Sequence, residues 1–276
     1  MAPRVVLTAV GGALFVLAPL LLVLTGNTEI VTSSDDGAGG RPLWTAVVPV
    51  LVGMALIRLV PPSLPRMPVV EGGARTAIVR QVWWLAGIAV AFPVLVAVVG
   101  GQSPAYPVVK VVLFLGGALL VTRLVRAELP QAVPARWFWV VPAIAGWGVL
   151  AFWVPSDLAV YREMDRVFLV AAMTITFLTA SVLEEWFYRV TLQTRLEAVA
   201  GRWPAIVATS LLFAAMHIPS HLGDGHVWVS LGAMIAFQGF FGLFAGYLWS
   251  RYRRFGALVV VHGAVNALPL LPVFLS

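Results

Sequence analysis

Cysteine is absent from the 276 residues. That excludes disulfides, thiolate metal sites and a cysteine nucleophile. Charge is scarce too: 11% of the residues are Asp, Glu, Lys or Arg, where soluble domains carry about a quarter. No His-Glu-x-x-His stretch occurs, so the strongest zinc-peptidase signature is missing. No internal repeat is visible, which counts against the inverted-repeat transporters. The net charge of +6 does not read as a nucleic-acid footprint, because the basic residues are scattered through short loops.

What fills the chain is apolar: 61% of it is hydrophobic. A membrane span needs about 20 such residues. Nine candidate spans follow, at 5–24, 43–60, 82–100, 105–122, 137–154, 167–188, 203–218, 227–249 and 256–275. The fourth is the weakest, being short and carrying Lys110, so eight is the alternative count. The run from Val5 to Leu24 is too long for the core of a signal peptide, and no small-x-small cleavage site follows it. It reads as a retained first span. Fourteen basic residues fall on one side of these spans, and four on the other: Arg41, Lys110, Arg162 and Arg166. The positive-inside rule then places the N-terminus in the cytoplasm. The expected fold is an all-α, polytopic transmembrane bundle in the cell membrane, with lipid as its surroundings.

Between the spans, the loop 25–42 is polar and Gly-rich, and 61–68 is too rich in proline to be helical throughout. Trp44, Trp137, Trp139, Trp153, Trp203, Trp228 and Trp249 lie near span ends, where an interfacial aromatic belt would put them.

Against this background the late spans carry ionisable groups. An acid at the centre of a membrane helix costs roughly 2.5–3.5 kcal/mol, so such groups are functional candidates. Glu184 and Glu185 are adjacent, and Arg189 follows Glu185 by four. Phe213 and His217 share that spacing, as do His262 and Asn266. Residues four apart lie on one helix face, so each span presents a compact unit. The two glutamates diverge by about 100° around the helix. Glu185 precedes Arg189 in the favoured ion-pair order, which leaves Glu184 free to face a cavity as a general base. His217 orients a water with Glu184 or shuttles its proton, and Asn266 donates to a developing oxyanion. Phe213 packs on the His217 ring.

Depth is consistent with a meeting. His262 lies ~12 Å, Asn266 ~18 Å and His217 ~22 Å from the cytoplasmic edge, and Glu184 ~16 Å if its helix reaches at least Arg195. That geometry requires Arg189 to be buried in protein.

Plainer readings stand beside these. The glutamates could be a charged cytoplasmic cap, and Asn266 could be interhelical glue. His221, Asp224 and His226 read as solvated loop residues, since Pro219 separates His221 from His217. Gly242 and Gly246 read as close helix packing. Ser181, Thr176 and Thr179 have no base to make them nucleophiles.

Glu184-Glu185-x-x-x-Arg189, Phe213-x-x-x-His217 and His262-x-x-x-Asn266 together resemble the three motifs of the CPBP family of intramembrane proteases. That family comprises type II CAAX prenyl endopeptidases and Abi bacteriocin-processing and immunity proteins. The resemblance covers about residues 165–276. It implies an intramembrane endopeptidase acting on apolar or lipidated peptides through a glutamate-activated water. Glu184, His217, His262 and Asn266 would be catalytic, with Glu185, Arg189 and Phe213 in support. A metal-free site is the preferred reading. Zn held by Glu184, His217 and His262 is the alternative, from the number and type of donors. The chain divides accordingly into 1–160, without a recognised motif, and a catalytic helical core, 161–276. A non-catalytic immunity or scaffold protein is the second functional reading, and a proton-coupled transporter the third.

Overall fold

The computed structural model describes residues 3–30, 40–61, 67–101, 103–130, 132–154, 159–221 and 226–275. Asp224, residues 62–66 of the proline-rich connector and residues 31–39 of the first loop lie outside these described residues. Helix dominates because a backbone in hydrocarbon must satisfy its own N–H and C=O groups. Nine apolar helices follow one another among the described residues. They are α1 (Pro3–Leu24), α2 (Trp44–Leu59), α3 (Gly72–Val99), α4 (Ala105–Leu124), α5 (Val141–Ala151), α6 (Arg166–Ala200), α7 (Arg202–Ala215), α8 (Val227–Tyr252) and α9 (Phe255–Leu275).

Six of these are long and apolar enough to cross a membrane; α2, α5 and α7, of 16, 11 and 14 residues, are shorter. The nine expected spans thus become six full-length and three short apolar helices. The fifth differs most. Its expected range splits into a 3₁₀ turn at Trp137–Trp139 and the helix Val141–Ala151, which rises only ~16 Å. In contrast, α3 begins at Gly72, and α6 continues past Arg195 to Ala200. One antiparallel two-residue pairing, Glu29–Ile30 with Arg41–Pro42, joins the ends of the first loop.

The helices pack around two main cores. In one, α2, α5, α7, α8 and α9 surround Val50, Trp147, Ile206, Phe244 and Val261. In the other, α3, α4, α6 and α7 enclose Phe92, Phe114, Phe187, Tyr188 and Phe213. Phe114 and Phe187 stack with ring centres 4.3 Å apart, which locks α4 against α6. The close approach read into Gly242 and Gly246 is present. A Cβ on Gly242 would sit 3.0 Å from Ser210 of α7, and one on Gly246 would sit 3.0 Å from the Gln193 amide of α6.

Outward, the bundle is coated with large apolar side chains, including Leu24, Leu59, Trp83, Val98, Val167 and Leu275. A continuous exterior of this kind is stable against lipid, not water, and the chain is an integral membrane protein. Trp44, Trp137, Trp153, Trp203 and Trp228 are exposed, as a belt requires. Trp249 is not part of it: the residue is buried and its indole donates to Thr194 Oγ1 at 3.0 Å.

Candidate active site

The acid pair sits at the centre of α6, in the three-residue α-helical stretch Leu183–Glu185. Wider π-helical turns flank it, at Phe177–Val182 and Trp186–Gln193. Such turns are uncommon and collect at functional sites. Glu184 is 1% exposed, Glu185 and Arg189 0%, and His262 6%. A charged cytoplasmic cap is therefore ruled out.

Glu185 is held from two sides. Its Oε2 accepts from Arg189 Nε at 3.3 Å, and its Oε1 accepts from His262 Nδ1 at 2.8 Å. The expected pairing with Arg189 is present, and the link from α6 to α9 through the imidazole comes with it. Because Nδ1 donates to a carboxylate, Nε2 is the free ring nitrogen. It lies 4.0 Å from Glu184 Oε2. That is too long for a direct hydrogen bond and short enough for one water to touch both atoms. The imidazole of His262 thus joins two acids that point different ways.

Glu184 is not free, as the sequence reading had it. Its Oε1 accepts from Lys110 Nζ of α4 at 2.6 Å. Lys110 is 3% exposed and belongs to neither loop surface, which removes it from the outer basic residues. Its ammonium also lies 4.6 Å from the Tyr106 ring centre and 5.7 Å from that of Phe92. Sequence reasoning missed Lys110, although a signal was there: it is the only lysine in the chain, inside an apolar run.

Asn266 reaches the same face of α6, where Nδ2 donates to Ser181 Oγ at 3.2 Å. One of its two amide hydrogens remains for another acceptor. His217 is half-buried, and its Nδ1 bonds the Phe213 carbonyl at 3.0 Å. The Phe213 backbone thus sets the tautomer, while its ring packs edge-on to both imidazoles, 5.3 Å from His217 and 5.9 Å from His262. His217 makes no ion pair with either glutamate, although it lies within electrostatic reach of Lys110 and His262. His221 ends the short helix Ile218–His221 and is half-buried, whereas His226 is exposed.

Four buried polar atoms here have no protein partner: Glu184 Oε2, Tyr188 Oη and Arg189 Nη1 and Nη2. Each such atom costs ~1–3 kcal/mol if left dry. Native folds keep few of them, and half of those found among the described residues lie in this cluster. The Arg189 guanidinium is also supported by the Phe213 ring, 5.0 Å away.

Zn at Glu184, His217 and His262 meets no ready-made donor set. Among the described residues no three His, Asp or Glu side chains lie close enough together to hold a metal ion. Two cavities flank the site without being lined by its acids or imidazoles. One, of about 340 Å³, is apolar and lies between Val111 and Leu115 of α4, Leu178 and Leu183 of α6, and Phe255. The other, of about 570 Å³, is lined by Thr191, Arg195, Trp249 and Arg253. Trp186, the residue after Glu185, borders both.

Residues 166–268 match the family described as Type II CAAX prenyl endopeptidase Rce1-like. The matched stretch contains all three motifs and leaves out α4. No curated protein and no solved structure matches the chain.

Proposed function

From the match of residues 166–268 to the family described as Type II CAAX prenyl endopeptidase Rce1-like, we propose that the protein is a member of that family and an intramembrane endopeptidase of the cell membrane. It hydrolyses a peptide bond of an apolar or lipidated peptide. The observation that carries this reading is the 4.0 Å gap between Glu184 Oε2 and His262 Nε2, buried beside a second acid and an arginine.

A water seated in that gap gives one proton to Glu184 Oε2 as its oxygen attacks the scissile carbonyl carbon. The carbonyl becomes an oxyanion, which the remaining Asn266 amide hydrogen is suited to meet. The proton held by Glu184 then passes to the leaving nitrogen, the C–N bond breaks, and a carboxylic acid and an amine result. Glu185 and Arg189 keep the His262 ring oriented, and Phe213 keeps that of His217. His217 serves on the substrate side of Phe213 or in proton exchange. The apolar cavity at Leu178, Leu183 and Trp186 suits a lipid or apolar side chain entering from the bilayer.

A second reading, a non-catalytic immunity or scaffold member of the same family, is favoured by one observation: Lys110 already neutralises Glu184. The experiment that separates them uses purified protein in detergent and a fluorogenic peptide carrying a prenylated cysteine. Cleavage that disappears in Glu184→Gln supports the protease. A wild-type protein that leaves the peptide intact, while still conferring a protective phenotype in cells, supports the binding role.

A further inference from the structure

The shortest charged contact in the site comes from a helix outside the family segment. Lys110 Nζ sits 2.6 Å from Glu184 Oε1, with both side chains almost fully buried. Burying two charges is not a cheap way to join helices, since desolvation often exceeds the Coulombic return. The aromatic packing of Phe114 on Phe187 already joins α4 to α6 without that cost. The pair therefore calls for another explanation.

Its geometry supplies one. A carboxylate is planar, so fixing one oxygen fixes the direction of the other. With Oε1 taken by Lys110, Oε2 is the only oxygen of Glu184 left without a partner, and it is the one turned toward His262 Nε2. The ammonium also lies near the Phe92 and Tyr106 rings and interacts with the Tyr106 hydroxyl, but its ion-pair partner is the acid. The charged and titratable groups facing Glu184 are Lys110 from α4, Tyr188 and Arg189 from α6, and His262 from α9, with Glu185 next to it in the chain and Tyr106 against Lys110 and Tyr188. Glu185 is taken up by Arg189 and His262. Lys110 is thus the cation that bonds Glu184 directly.

We infer that Lys110 is a positioning residue, which keeps Glu184 in its carboxylate form and aims Oε2 into the gap facing His262. The inference rests on the reading of Glu184 as the water-activating acid for its kinetic consequence, though not for its effect on the charge of Glu184.

The two parts are measured separately on the full-length protein. Infrared spectra at neutral pH report the charge. Lys110→Met should gain a protonated-carboxyl stretch that the wild type lacks and that vanishes in Lys110→Met/Glu184→Gln. Kinetics on the prenylated fluorogenic peptide report the consequence. In Lys110→Met, kcat should fall about tenfold or more while KM changes by less than about twofold. Lys110→Arg keeps the charge, so it should show no new carboxyl stretch and recover most of kcat. If Lys110→Met does not fold, Lys110→Arg decides alone, and a protonated carboxyl in that variant overturns the inference. An unchanged kcat in Lys110→Met, or no Glu184-dependent stretch, also overturns it. A wild type that cleaves nothing sinks the protease reading, and the infrared result still judges the role of Lys110.

Discussion

Glu184 and Glu197 lie on one helix, and both are buried, yet their surroundings are finished differently. Glu197 has both oxygens engaged: Oε1 accepts from Gln193 Nε2 at 2.8 Å, and Oε2 accepts from Arg253 Nη2. Gln193 also donates to the Gly246 carbonyl at 2.8 Å. The knot fastens the end of α6 to the turn between α8 and α9. There Arg253 takes a left-handed conformation at φ 50°, rare for a residue with a side chain. It leaves over one buried polar atom, Arg253 Nη1, against four around Glu184 and Arg189. A carboxylate with both oxygens bonded to protein donors holds helices together and leaves neither oxygen unpartnered. One with an unpartnered oxygen facing an imidazole is the costlier arrangement to bury.

The comparison breaks most sharply at the acids themselves. Glu184→Gln should lower cleavage about a thousandfold and leave a folded, monodisperse protein, as read by turnover and size-exclusion chromatography. Glu197→Gln should do the reverse. It leaves Arg253 buried without its counter-charge, which costs about 3 kcal/mol, seen as a lower melting temperature in detergent with kcat within about twofold of wild type. A Glu197 variant as inactive as the Glu184 one would erase the distinction between anchor and reactive acid.

Asn266→Ala sharpens the reactive side. Loss of an oxyanion donor should reduce kcat about a hundredfold with KM little altered; if only the melting temperature moves, Asn266 is interhelical glue through Ser181. The smallest effect belongs to the anchored side. Trp249→Phe removes the indole bond to Thr194 beside the knot and should cost about 1 kcal/mol without changing turnover.

Much of this was legible in the chain. The apolar runs placed nine helices, and the repeated spacing of four pointed to Glu185 with Arg189, Phe213 with His217, and His262 with Asn266. The depth argument required α6 to reach Arg195 and Arg189 to be buried; α6 ends at Ala200, and Arg189 is 0% exposed. What escaped was contact between helices. Lys110, inside the fourth apolar run, counts by sequence among the outer-side charges, and the partner of Asn266 proved to be Ser181. The fifth apolar run is too short as a helix to cross a membrane because its first part is a 3₁₀ turn ahead of Pro142.

The sequence by itself determined that this is an α-helical membrane protein whose late helices carry acids, imidazoles and an amide at one spacing. Hydropathy and helical period are local properties, written into neighbouring residues. Only the tertiary structure decided that Lys110 closes on Glu184, that His262 stands between the two acids, and that the Phe213 ring packs against both imidazoles. Those facts depend on how far helices rotate and tilt against one another, and that is fixed by the fit of side chains such as Phe114 on Phe187, distant in the chain.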